Sequence, residues 1–178
     1  MVLTARLLKV VSAFLIGLLA LSACGTQPGA AAVVNGSTIA ERDVSQASTE
    51  LGHVLAGEIN PQAVLQILVI GPSAIQLAAR NGMGISAAEA EEFLNNEALA
   101  NEQEPAEEYS QSTLTVARYL LLENVLRTSP DAAELGAELE EEIGALDVEL
   151  SPRYGEWTPQ GPVQTQPDWI LEPEPQAA

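Results

Sequence analysis

The side chains able to do chemistry in this sequence are few and unevenly placed. There is one cysteine, Cys24, and one histidine, His53, while 25 Asp and Glu stand against 7 Lys and Arg, a formal net charge of −18. A single thiol forms no intrachain disulfide and completes no multi-cysteine metal site. A single imidazole excludes zinc sites built on two histidines. His53 lies near the end of a helical pattern, beside Leu51 and Leu55. A general base needs a nucleophile or a removable proton at hydrogen-bond range, and no spacing here supplies one. His53 therefore reads as a helix-end or surface histidine. The runs Glu89/Glu91/Glu92, Glu102/Glu104/Glu107/Glu108 and Glu138/Glu140/Glu141/Glu142 raise the question of calcium. They lack the Asp-rich, Gly-turned loop such a site needs and read as solvated helix faces. The motifs G-x-x-x-x-G-K-[ST], H-E-x-x-H and G-x-S-x-G are missing from the sequence. The expectation is a chain with no catalytic residue, no cofactor and no metal ligand, and so not an enzyme. The acidic excess also argues against sequence-independent nucleic-acid binding and against a polybasic membrane patch.

Cys24 is the exception, because its surroundings specify a reaction. Arg6 and Lys9 precede an uncharged apolar stretch over residues 10–23, which ends in Leu21-Ser22-Ala23-Cys24-Gly25. Fourteen residues fall short of the roughly 20 that span a bilayer. A positive start, a short apolar run and small residues before a cut describe a secretory signal. Leu21-Ser22-Ala23-Cys24 resembles a bacterial lipobox. That resemblance implies removal of residues 1–23, acylation of the Cys24 thiol and a lipid-anchored protein on the extracytoplasmic face of a cell membrane. Two or three acyl chains, such as palmitate, at about 0.8 kcal/mol per buried CH₂ are enough to hold it there. Residue 25 is Gly rather than Asp, so nothing signals retention at an inner membrane. Losing Arg6 and Lys9 takes the net charge from −18 to −20 and leaves a mature chain without Lys.

The elements that follow are mostly helical. Residues 24–31 are small, with Gly and Pro, and read as a tether. Ala32-Val33-Val34 and Ser37-Thr38-Ile39 flank Asn35-Gly36, a strong hairpin signal. Glu41 and Asp43 open a helix whose apolar face is Val44, Ala47, Leu51 and Leu55, ending near Gly57. Asn60-Pro61 starts another, with a kink or break expected at Gly71-Pro72. Ser86 and Glu89 form a capping box for a third. Residues 101–109 form an acidic loop, Ser112 is the expected cap of a fourth helix to about Arg127, and Ser129-Pro130 precedes a fifth to Ile143. Residues 146–150 alternate apolar and acidic side chains as a half-buried strand. Residues 151–155 form a turn. Residues 158–178 hold five of the eleven prolines and read as a disordered tail. The fold class expected is mainly α: five to six helices and a small two- or three-stranded sheet made by the segments that flank them.

Two motifs at the ends of the helical part carry a family resemblance. Val33-Val34-Asn35-Gly36, with Ile39, Glu41, Asp43 and Val44, is similar to an opening V-N-G-x-x-I-x-x-x-D. Val148-Glu149-Leu150-Ser151-Pro152-Arg153-Tyr154-Gly155-Glu156-Trp157 is similar to a closing V-x-V-N-P-R-F/Y-G-x-W, with Ser151 in place of Asn. Together they resemble the N-terminal domain of SurA/PrsA-type extracytoplasmic chaperones over residues 32–157. The resemblance implies an ATP-independent holdase for unfolded or exported polypeptides. Tyr154 and Trp157 could line a peptide-binding surface or, in the plainer reading, pack the last strand onto the helices. The parvulin prolyl isomerase domain that many members insert before the last helix has no room at Arg127-Thr128-Ser129-Pro130. Its paired histidines are also missing, so a degenerate isomerase is the weakest reading. An envelope scaffold with one dedicated partner is the main alternative. No nucleic acid and no small-molecule substrate is implied.

Overall fold

The structure, a computed structural model, describes residues 28–164. The expectations for the signal segment 1–23, for Cys24 and for residues 165–178 lie outside the described residues.

Strands β1 (Ala30–Val34) and β2 (Ser37–Ala40) form the expected hairpin. Asn35 and Gly36 both have positive φ, 49° and 78°, the backbone that two-residue turns need to follow the twist of the strands. Strand β3 (Val148–Leu150), more than a hundred residues later, lies antiparallel on the other side of β1. Its register is Ala32↔Leu150, Val33↔Glu149 and Val34↔Val148, and the sheet order is β2-β1-β3. Asn35 locks this closure. Its N–H donates to the Asp147 carbonyl (2.8 Å), and its Oδ1 accepts from the Asp147 N–H (2.9 Å). The flanking segments therefore do build one small antiparallel sheet. Ala30 and Ala31, placed in the tether by composition, are buried residues of β1, so the folded part begins earlier than expected.

Five helices fill the space between. Helix α1 (Glu41–Val54) uses Asp43 Oδ2 to accept the Ala40 N–H (3.3 Å) and buries Val44, Ala47, Leu51 and Val54. It stops short of Gly57, and Leu55, expected on the apolar face, is exposed past its end. Helix α2 (Pro61–Arg80) is capped by Asn60, whose side chain accepts the Gln62 N–H (2.9 Å). It runs on through Pro72, where a kink or break was expected. Pro72 is itself solvent-exposed, while residues on both sides of it, from Val64 to Ala78, are buried against the core. Gly71 faces Thr115 and Tyr119. Packing of that long apolar face outweighs the one backbone hydrogen bond a proline removes. By length and composition α2 could cross a membrane, but here it is the central helix of the core.

Helix α3 (Ala87–Ala100) has the expected capping box: Glu89 N–H donates to Ser86 Oγ (3.2 Å) and Ser86 N–H to Glu89 Oε2 (2.8 Å). Helix α4 (Gln111–Thr128) begins two residues earlier than expected, because its cap is Ser110 rather than Ser112. Helix α5 (Ala132–Gly144) lies on the outside of α2, with Leu135 buried and Leu139 and Ile143 half-buried. Its like-charged Glu138 and Glu142 both face Arg80, the first at 3.7 Å. That cation offsets the repulsion their spacing implies.

A 3₁₀ turn at Pro152–Tyr154 leads into a second hairpin, β4 (Glu156–Thr158) and β5 (Gly161–Val163). The order expected to end at residue 157 thus continues through 163. Its carbonyls are held by α2: Gln62 Nε2 donates to Pro162 O and Gln66 Nε2 to Gln160 O, both at 3.3 Å. Gly155 makes the hairpin possible, since its φ is 85° and a Cβ there would run into the Val163 carbonyl.

Candidate functional site

Of the residues singled out above, Tyr154 is the most firmly placed. It is 5% exposed, and its hydroxyl donates to Glu41 Oε2 (2.9 Å). Arg153 Nη1 donates to the same oxygen (3.2 Å), and its guanidinium lies over the Tyr154 ring at 5.2 Å from the centroid. Glu41 opens α1, where a carboxylate suits the helix dipole, so this cluster joins the closing motif to the first helix. Burial first, then the hydrogen bond to Glu41, pushes the Tyr154 phenol up to about 12. It stays protonated at any physiological pH and serves as a donor, not as an acid–base group. The cluster forms one wall of a polar groove of about 790 Å³, whose other wall is the Ser45, Ser48 and Thr49 face of α1 with Glu58 and Ile59 beyond.

Trp157 is elsewhere. It is half-buried against the core and lines a separate shallow hollow with Val148, Leu150 and Pro152. The fold therefore does not bring Tyr154 and Trp157 into one hollow. His53 has an ordinary structural partner, with its Nε2 3.0 Å from the Glu104 carbonyl, which ties α1 to the acidic loop. Among the described residues no three carboxylate, histidine or cysteine side chains gather in a way that could hold a metal.

Two features were not legible as sites. Glu50, within α1, reaches across to the start of α4. Its Oε2 accepts from the Ser110 N–H (2.9 Å) and Thr113 Oγ1 (2.6 Å), and its Oε1 from Gln46 Nε2 (2.8 Å). Burial alone would raise the Glu50 carboxyl, but these donors prevail and hold it below its usual value. The second feature is an apolar groove of about 500 Å³ between α3 and α4. Ile85, Phe93, Leu121 and Val125 line it, and Glu89 and Glu92 stand beside them. Its signal was present in the sequence as apolar residues in excess of what one buried face needs, but only the packing shows which of them are left over.

Comparison with known family models, curated proteins and solved structures gives no match. The functional reading therefore stands on the residues themselves.

Proposed function

We propose that this protein is a membrane-anchored extracytoplasmic lipoprotein that acts as an ATP-independent holdase for exported polypeptides. The observation that carries the reading is the union of the two end motifs. The strands of Val33-Val34-Asn35-Gly36 and Val148-Glu149-Leu150 pair directly, Asn35 bonds to Asp147, and Tyr154 bonds to Glu41. Residues that carry the resemblance to SurA/PrsA-type chaperones are thus the ones that close the domain. Lipidation at Cys24 would hold it at the membrane surface, and the acidic surface would keep bound clients from aggregating.

A specific observation also favours the alternative of a dedicated envelope partner. Large exposed hydrophobics among the described residues are scattered, at Leu55, Leu99, Val125 and Val163, rather than gathered into a broad patch. The decisive experiment follows aggregation of a denatured exported protein, with and without the full chain in lipid vesicles. Suppression near stoichiometric ratio supports the holdase. No effect at severalfold excess, together with recovery of one stoichiometric protein on affinity purification, supports the scaffold. In both cases Cys24→Ser is expected to move the protein from the membrane fraction to the soluble one.

A further inference from the structure

We propose that the groove between α3 and α4 docks an apolar polypeptide segment flanked by Lys or Arg. The inference rests on the polypeptide-binding reading above and names the chemistry of the segment bound. The half-buried Ile85, Phe93 and Leu121 and the exposed Val125 supply the groove's apolar lining. Glu89 and Glu92 lie on one rim, and Asn96 and Asn124 supply amides for a passing backbone. Arg118, on α4, is already turned to the Ile85 carbonyl, with Nε donating at 2.7 Å.

Charge selects among possible occupants. A second copy of a chain carrying −18 would bring its own acidic rim against this one. The apolar triplet near the C-terminal end, Trp169-Ile170-Leu171, is flanked by Asp168 and Glu172 and meets the same repulsion. An apolar segment with a flanking cation buries its side chains on Phe93 and Leu121 and brings that charge to Glu92, with Glu89, whose Oε2 is held by Ser86, one turn away. Such a pairing accelerates encounter and excludes acidic competitors.

The test uses the full chain in neutral-lipid nanodiscs and three labelled peptides: a Leu/Phe core flanked by Lys, the same core flanked by Glu, and a Ser core flanked by Lys. Fluorescence anisotropy at low and high salt reads their affinities. The Lys-flanked apolar peptide is expected to bind about tenfold more tightly than either other, with the advantage over the Glu-flanked peptide shrinking as salt screens the rim. Val125→Asp and Glu92→Lys change exposed positions, and each is expected to weaken binding about fivefold while the protein stays folded, its melting temperature moving by no more than about 4 °C. Equal affinity for Lys- and Glu-flanked cores, or binding indifferent to Val125→Asp, overturns the assignment. Aggregation suppression separates the two levels. If both variants still protect a client as well as the parent does, the holdase stands and this groove is not its site. If the parent protects nothing, the reading beneath it falls.

Discussion

Glu50 shows how one side chain can couple two elements distant in sequence. Its carboxylate supplies the acceptors that the first turn of α4 would otherwise seek from water, taking the Ser110 N–H and the Thr113 hydroxyl. Thr113 is fully buried, so losing Glu50 leaves its hydroxyl with the Ser110 Oγ (2.9 Å) as its one remaining partner and without a charged acceptor. Glu50→Gln keeps the shape but removes the charge, and it is expected to cost about 1 kcal/mol at neutral pH. The sign of the pH dependence follows from the lowered carboxyl. The charge-dependent stability is complete above the unfolded-state value near 4.5 and is lost as pH falls through the lower folded-state value. Chemical denaturation of both proteins from neutral to acid pH should show the gap between them closing below that point. A gap that persists in acid would mean the contribution is packing rather than charge. Tyr154 was legible as a residue to watch, because it stands in a recognisable closing motif. Glu50 was not, since its partners at the cap and first turn of α4 lie 60 and 63 residues away and no local spacing announces them.

At the scale of elements, local chemistry predicted type better than boundary. The Asn35-Gly36 turn and the Ser86/Glu89 box are local devices, and both stand where sequence placed them. Pro72 does not break α2, and α4 starts two residues early, because tertiary contacts decide both. Two serines stand two residues apart, and Glu50 selects the first by accepting its N–H. Ser110→Ala is therefore expected to lose about 1 kcal/mol, the usual worth of an N-cap, whereas Ser112→Ala stays within about 0.5 kcal/mol. Equal losses in thermal melts of the two variants would return the cap to Ser112. The β4–β5 hairpin was hidden for a different reason. Pro159 and Pro162 gave that stretch the composition of a tail, yet Pro162 lies in β5 and its carbonyl is used by Gln62. Gly155, read as part of a turn, is what lets that strand approach.

For the whole molecule, the charge imbalance sets the terms. Most described cations are engaged with neighbouring acids, as in Arg80 with Glu138 and Glu142 or Arg153 with Glu41. What remains is a surplus of carboxylates that repel one another across a small body. Raising NaCl from about 0.02 to 0.5 M is expected to stabilise the fold by about 1 kcal/mol, or roughly 3 °C in melting temperature. A fall instead would mean that the ion pairs outweigh the general repulsion. Composition alone made that imbalance visible, whereas the helical class of the fold came from apolar spacing and capping residues. The apolar groove between α3 and α4 needed the fold, because nothing in the spacing of Phe93 or Leu121 tells which neighbour covers them. The sheet has one further, mechanical consequence. β1 is its middle strand, bonded along both edges, and Glu41 N–H also donates to the Gly29 carbonyl just ahead of it (2.9 Å). A pull on the leading end of β1 is borne in shear by two ladders at once, so the point where a membrane leash would meet the body is built to resist peeling.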